Sequence, residues 1–64
     1  MSLLNYREAA ELLGIQPATL RRWTRRKRVP HLRFGTHSVK FDRAALLLWI
    51  DQQRVAPDPG DNAA

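Results

Sequence analysis

The stretch from Thr19 to Arg28, TLRRWTRRKR, sets six basic side chains around a single tryptophan. Five of the six are guanidinium groups, planar forks that meet a phosphate or a guanine edge through paired hydrogen bonds. Such a run is either a solvated charged face or a surface for a polyanion, and helix phase helps to distinguish them. With Leu20 set to zero and about 100° per residue, Trp23 falls at about 300°, Thr24 at about 40°, and Arg21, Arg22, Arg25 and Arg26 at about 100°, 200°, 140° and 240°. Leu20 and Trp23 therefore face inward together while four arginines fan over the opposite side. Ala18 and Thr19, at about 160° and 260°, join the arginines near the start of the helix. Lys27 would return to the buried side, so the regular helix is expected to stop at or before it.

The chain as a whole supports the polyanion reading without choosing the polyanion. Its 64 residues carry a formal charge of +5 and limit it to one small domain. Setting aside residues 55–64, VAPDPGDNAA, leaves eleven basic against four acidic side chains in residues 1–54, a net +7. A field of that sign attracts nucleic acid or an anionic membrane surface. No apolar run approaches the roughly 20 residues of a membrane span, and MSLLNYREAA lacks the basic-then-apolar order of a signal peptide. A cytoplasmic protein, in a bacterial host, is expected. The sequence has no cysteine, hence no disulfide framework, no Cys-ligated zinc and no thiol nucleophile. It also shows no paired carboxylates on a common face and no phosphate-cradling glycine loop, so no enzyme is expected. His31 and His37 lack further convergent ligands, so no metal and no cofactor is expected.

Several elements are expected to position the arginines. Asn5 followed by Glu8 has the spacing of a capping box, and Tyr6, Ala9, Ala10 and Leu13 recur at helical spacing until Gly14 supplies a left-handed stop. Ile15 turns inward, Gln16 takes the next cap position and Pro17 the first helical position of a helix running to about Arg26. Arg28, Val29 and Pro30 lead out in extended form. From His31 the period becomes two, with Leu32, Phe34, Val39 and Phe41 expected on one face and His31, Arg33, Ser38 and Lys40 on the other. GTHS at 35–38 forms the turn. Asp42 caps a third helix, RAALLLWIDQQR, with Ala45 or Leu46, Trp49, Ile50 and Gln53 on its inward stripe. Trp23 and Trp49 are expected in the core, Leu47 and Leu48 are left over, and residues 55–64 form a disordered acidic tail.

The fold class this implies is mainly α with a small β-hairpin, in the order helix, helix, hairpin, helix, which is that of a winged helix-turn-helix domain. Residues 3–50, about three quarters of the chain, resemble the excisionase-type, MerR-like winged-helix modules. The resemblance rests on LLNYREAAELLGI, PATLRRW, RVPHLRFGTHSVKF and DRAAL. The family commonly has glycine at the position of Lys27, and this chain departs from it there.

The resemblance implies binding to double-stranded DNA, with the second helix in the major groove and the hairpin wing at the adjacent minor groove or its phosphates. The N-terminal part of a recognition helix penetrates deepest, which puts Pro17, Ala18, Thr19, Arg21 and Arg22 near base edges and leaves Arg25, Arg26 and Arg28 to phosphates. On the wing the candidates are Arg33, Thr36, His37, Ser38 and Lys40, with an ordinary exposed hairpin as the alternative. Tyr6 and Arg7, beside Asn5, are candidates for a phosphate contact, Tyr6 equally for packing. Leu47 and Leu48 are candidates for contact with a neighbouring copy or a recombinase, or are simply exposed leucines.

By resemblance, the expected role is that of an excisionase, or recombination directionality factor, encoded by a phage or mobile element. Several copies, monomeric when free, would load on repeated sites, bend the DNA and help a tyrosine-type integrase excise. A small MerR-like transcription regulator, a terminase small-subunit domain or a plasmid partition factor would use the same module. A protein-interaction module built on the leucine-rich third helix is the alternative outside DNA binding, and it predicts weak binding or none.

Overall fold

The structure, a computed structural model, describes residues 2–56. The elements are β1 (Leu3–Leu4), α1 (Tyr6–Leu13), α2 (Pro17–Arg25), β2 (Leu32–Phe34), β3 (Ser38–Asp42) and α3 (Arg43–Gln52). The expected order of helix, helix, hairpin and helix is present, with one addition. Leu3 and Leu4 form a short strand opposite Asp42 and Phe41, which converts the hairpin into a three-stranded antiparallel sheet of order β1-β3-β2. Residues 57–64, most of the tail expected to be disordered, lie outside the described residues.

Both helix ends that frame the turn are set by local chemistry. The Asn5 side chain accepts from the Glu8 amide at 2.8 Å, and the Glu8 carboxylate accepts from the Asn5 amide at 3.0 Å, completing the capping box. Gly14 then adopts φ +72°, and the amides of Gly14 and Ile15 donate to Glu11 and Ala10, a Schellman closure. Nothing stands within 4 Å of where a Gly14 side chain would begin, so its glycine serves the backbone angle and not a close approach.

The end of α2 repeats this closure without glycine. Lys27 sits at φ +56°, its amide donates to Thr24 at 3.0 Å, and the Arg28 amide donates to Trp23 at 3.0 Å. A left-handed position that glycine would adopt freely thus holds a lysine here, at a steric cost of roughly 1–2 kcal/mol. Lys27→Gly is expected to stabilise the domain by about 0.5–1 kcal/mol after the added chain entropy of glycine, a rise of roughly 2–8 °C in Tm. A thermal melt followed by circular dichroism checks this, and an unchanged or lower Tm would contradict the strain.

The core consists of Ala9, Ala10, Leu20, Val29, Phe41 and Leu46, with Leu4, Tyr6, Leu12, Leu13, Ile15, Trp23, Val39 and Trp49 packed around it. On α2 the buried pair is Leu20 with Thr24, not Leu20 with Trp23 as expected. The Thr24 hydroxyl donates to the Leu20 carbonyl at 2.8 Å, which satisfies it in an apolar setting. Trp23 is only half-buried. It lies at a tilt against Trp49, ring centroids 6.2 Å apart, on one wall of a groove of about 360 Å³ that Leu13, Ile15 and Ile50 also line. Val29, expected only as part of an extended lead-out, is buried. Gln53, expected inward, is exposed, its side-chain amide donating back to the Trp49 carbonyl at 3.1 Å. Gln16 and Asp42 occupy the expected cap positions of α2 and α3, but neither side chain makes a capping hydrogen bond. The Arg43 amide at the start of α3 donates instead to the Ser2 carbonyl at 3.0 Å.

The expected faces of the hairpin are overturned by its register. Leu32 pairs with Lys40, Arg33 with Val39 and Phe34 with Ser38, so Ser38 belongs to β3 and the loop is Gly35, Thr36 and His37, with Gly35 at φ +73°. Directly opposed residues of an antiparallel pair share a face. Leu32 and Phe34 therefore lie with Ser38 and Lys40 on the outer face, and Arg33 lies with Val39 and Phe41 on the other. An odd-numbered loop reverses the apolar face between the two strands. Phe41 is fully buried, Val39 is half-buried, and Phe34 is left 53% exposed near the tip of the hairpin.

Candidate nucleic-acid interface

Gly14, Ile15 and Gln16 join α1 to α2, and the contacts of Leu20 with the core fix which side of α2 looks outward. That outward side carries Ala18, Arg21, Arg22 and Arg25, all exposed; Arg21 and Arg22 stand three and four residues after Ala18, and Arg25 stands four and three after them, so they form one stripe. Pro17 and Thr19 beside them are half-buried. Arg26 is the exposed residue that closes the helix, and the left-handed turn at Lys27 carries the chain to Arg28, also exposed.

No acidic side chain among the described residues pairs with this cluster. Among the described residues the one salt bridge joins Arg54 to Asp51 at 2.8 Å, on the far end of α3, and both side chains are well exposed. Arginines three and four apart on a helix repel each other by a few tenths of a kcal/mol per pair, a cost that a polyanion would remove. Arg22 and Arg25 also lie in the last turn of α2, where a cation is favoured by the helix dipole, so the helix tolerates them without a partner. At the other end, the Gln16 side chain leaves the first-turn amides uncapped, and helix amides of that kind suit phosphate oxygens.

On the wing, Arg33, Thr36, His37 and Ser38 are exposed and Lys40 is half-buried. The register separates two of the expected partners, since Arg33 points to the face opposite that of Ser38 and Lys40. The wing thus offers a cation on each side of the sheet instead of one basic face, with the apolar Phe34 on the same side as Lys40. His31 is turned into the fold, its Nδ1–H donating to the Val29 carbonyl at 2.9 Å. Among the described residues no group of three or more His, Cys, Asp or Glu side chains gathers around a point that could hold a metal ion.

Tyr6 and Arg7 part company. Arg7 is exposed, while Tyr6 is half-buried and meets the Phe41 ring edge-on, centroids 5.3 Å apart and planes at 73°. The Arg21 guanidinium also lies over the Tyr6 ring, at 5.3 Å from its centroid. This contact between the first helix and the second was not legible in either helix's own periodicity. On α3, Leu47 is 44% and Leu48 is 68% exposed, as their phase on the helix implied.

Two helices joined by a three-residue turn, the second carrying a basic outward stripe, beside a small sheet with a projecting hairpin: this is the architecture of a winged helix-turn-helix, a DNA-binding domain. Residues 3–54 match the family described as Helix-turn-helix domain, and the chain belongs to that family. No curated protein and no solved structure matches it. No helix among the described residues is long and apolar enough to cross a membrane.

Proposed function

We propose that this protein is an architectural DNA-binding factor of the excisionase type, loading on repeated double-stranded sites and bending them to favour integrase-mediated excision. The observation that carries the DNA-binding part is the stripe of Ala18, Arg21, Arg22 and Arg25 on the outward side of the second helix-turn-helix helix, with no acidic partner among the described residues. Pro17, Ala18, Thr19, Arg21 and Arg22 face base edges in the major groove, and Arg25, Arg26 and Arg28 bind phosphates. Arg33, Thr36, His37, Ser38 and Lys40 make the wing's contacts, and Arg7 adds a phosphate contact at the start of α1. The excisionase part is supported by the motif string from LLNYREAAELLGI to DRAAL, and by the exposed Leu47 and Leu48, a surface for a neighbouring copy or a tyrosine-type integrase. Bending costs a few kcal/mol, which phosphate neutralisation by several adjacent copies can offset. The chain itself breaks no bond in this scheme.

The same family membership fits a small transcription regulator, and footprinting on the DNA flanking the gene separates the two. An array of adjacent protected sites beside an attachment site is expected for an excisionase, whereas one isolated site at a promoter would favour the regulator. Within either role, Arg22→Ala is expected to relax sequence preference and Arg26→Ala to weaken all duplexes alike. Competition titrations against specific and random duplexes read this difference, and the reverse pattern would mean that the reading and gripping ends of α2 have been exchanged.

A further inference from the structure

We propose that Tyr6 is a positioning residue that fixes the Arg21 guanidinium for DNA. This rests on the reading of α2 as the DNA-binding helix. Three side chains from three elements form one stack. Phe41 of β3 is fully buried, Tyr6 of α1 packs edge-on against it at 5.3 Å, and Arg21 of α2 lies over the Tyr6 ring at 5.3 Å. Arg22 and Arg25 share the exposed side of α2 with Arg21, yet among the described residues Arg21 is the arginine that lies over an aromatic ring.

Seating on a ring does two things for an exposed arginine. The face of the ring attracts the cation, and a guanidinium has five N–H donors, enough to keep a pair for hydrogen bonds to DNA. A long side chain otherwise loses rotamer freedom when it docks, and an arginine already held by a ring anchored in the core has lost part of that freedom before DNA arrives. Tyr6 serves by its ring. Among the described residues its hydroxyl has no hydrogen-bond partner, and no buried polar side-chain atom is left unsatisfied.

The test uses a labelled duplex selected by the full chain from a randomised library, with affinities from anisotropy titrations of wild type, Tyr6→Phe, Tyr6→Leu, Arg21→Ala and the Tyr6→Leu/Arg21→Ala pair. Tyr6→Phe is expected to bind within about twofold of wild type, because the ring remains. Tyr6→Leu should lose roughly three- to tenfold, the scale of one cation–π contact plus the ordering of one long side chain. In the Arg21→Ala background the same substitution should change affinity less than about twofold, because the residue it acts through is gone.

Equal losses in both backgrounds, a tighter-binding Tyr6→Leu, or a Tyr6→Phe as weak as Tyr6→Leu would each overturn the proposal. The last of these would make the Tyr6 hydroxyl itself the phosphate ligand. If Tyr6→Leu does not melt cooperatively, two readouts decide in its place. Ring-current displacement of the Arg21 δ-proton resonances should be present in free wild type and Tyr6→Phe, and Arg21→Lys, which keeps charge but not the planar fork, should bind several-fold more weakly. Undisplaced resonances or a fully competent Arg21→Lys would overturn it. The wider DNA-binding reading fails separately: it falls if wild type selects no duplex, and it stands if Arg22→Ala weakens binding while Tyr6 and Arg21 prove independent.

Discussion

Phe41→Ala is expected to leave much of the protein unfolded at room temperature. Truncating a fully buried phenylalanine costs about 3–5 kcal/mol through lost transfer energy and the cavity left behind. A domain of this length has roughly 3–10 kcal/mol of stability to lose, at about 0.05–0.15 kcal/mol per residue. Phe41 is where that loss is hardest to absorb. It lies on the central strand of the sheet, opposite Leu4 of β1, and the Tyr6 ring of α1 rests against it. Urea melts followed by circular dichroism should show a midpoint near zero denaturant or a Tm lowered by roughly 12–40 °C. Phe34→Ala, on the exposed outer face, should move it by no more than about 1 kcal/mol. Equal effects at the two positions would mean that the hairpin presents the other face to the core.

Replacing Arg25 and Arg26 together by alanine is expected to have the largest effect on binding. If each grips one phosphate, the slope of log affinity against log salt should flatten by about 1.8. At about 0.15 M salt, removing two charge-assisted hydrogen bonds to phosphate should weaken binding by roughly tenfold or more. Stability should barely change, because relief of repulsion with Arg22 and the other arginines offsets the loss of a cation near the C-terminal end of the helix dipole. Titrations at several salt concentrations, with a melt of the variant alongside, read both quantities. An unchanged slope would show that these two side chains are solvated in the complex.

Much of the arrangement behind these expectations is readable in short stretches. Asn5 and Glu8 announce the start of α1, Gly14 its end, and Pro17 the start of α2, because each acts on backbone groups within four residues of itself. The outward arginine stripe follows from counting around one helix. The same count puts Thr24 closer in phase to Leu20 than Trp23 is, but residue polarity argues against burying a threonine. The structure resolves this by turning its hydroxyl onto the Leu20 carbonyl. Lys27 does end the helix where its phase requires, and its left-handed backbone lets it stand where a glycine would be expected.

What the sequence misleads on has a different cause. Alternation in β2 and in β3 is visible separately, yet which face of one matches which face of the other depends on a single residue of loop length. GTHS reads equally well as a loop of three or of four. Strand β1 has only two residues, too few for a periodic signal, and its partner β3 follows it in the chain only after two helices and β2. The stack of Phe41, Tyr6 and Arg21 joins three elements, none of which contains a sign of the others.

By itself, then, the amino-acid sequence determined the helices, the capping box and glycine stop of α1, the outward side of the basic run and the helix-turn-helix class, because these depend on hydrogen bonds and phase within a turn or two of chain. Only the tertiary structure decided the register of the wing, the presence of β1, the exposure of Phe34 and the seating of Arg21 on Tyr6. Each of those depends on how separate elements meet, and packing between distant segments is fixed by the whole set of contacts at once rather than by any local pattern.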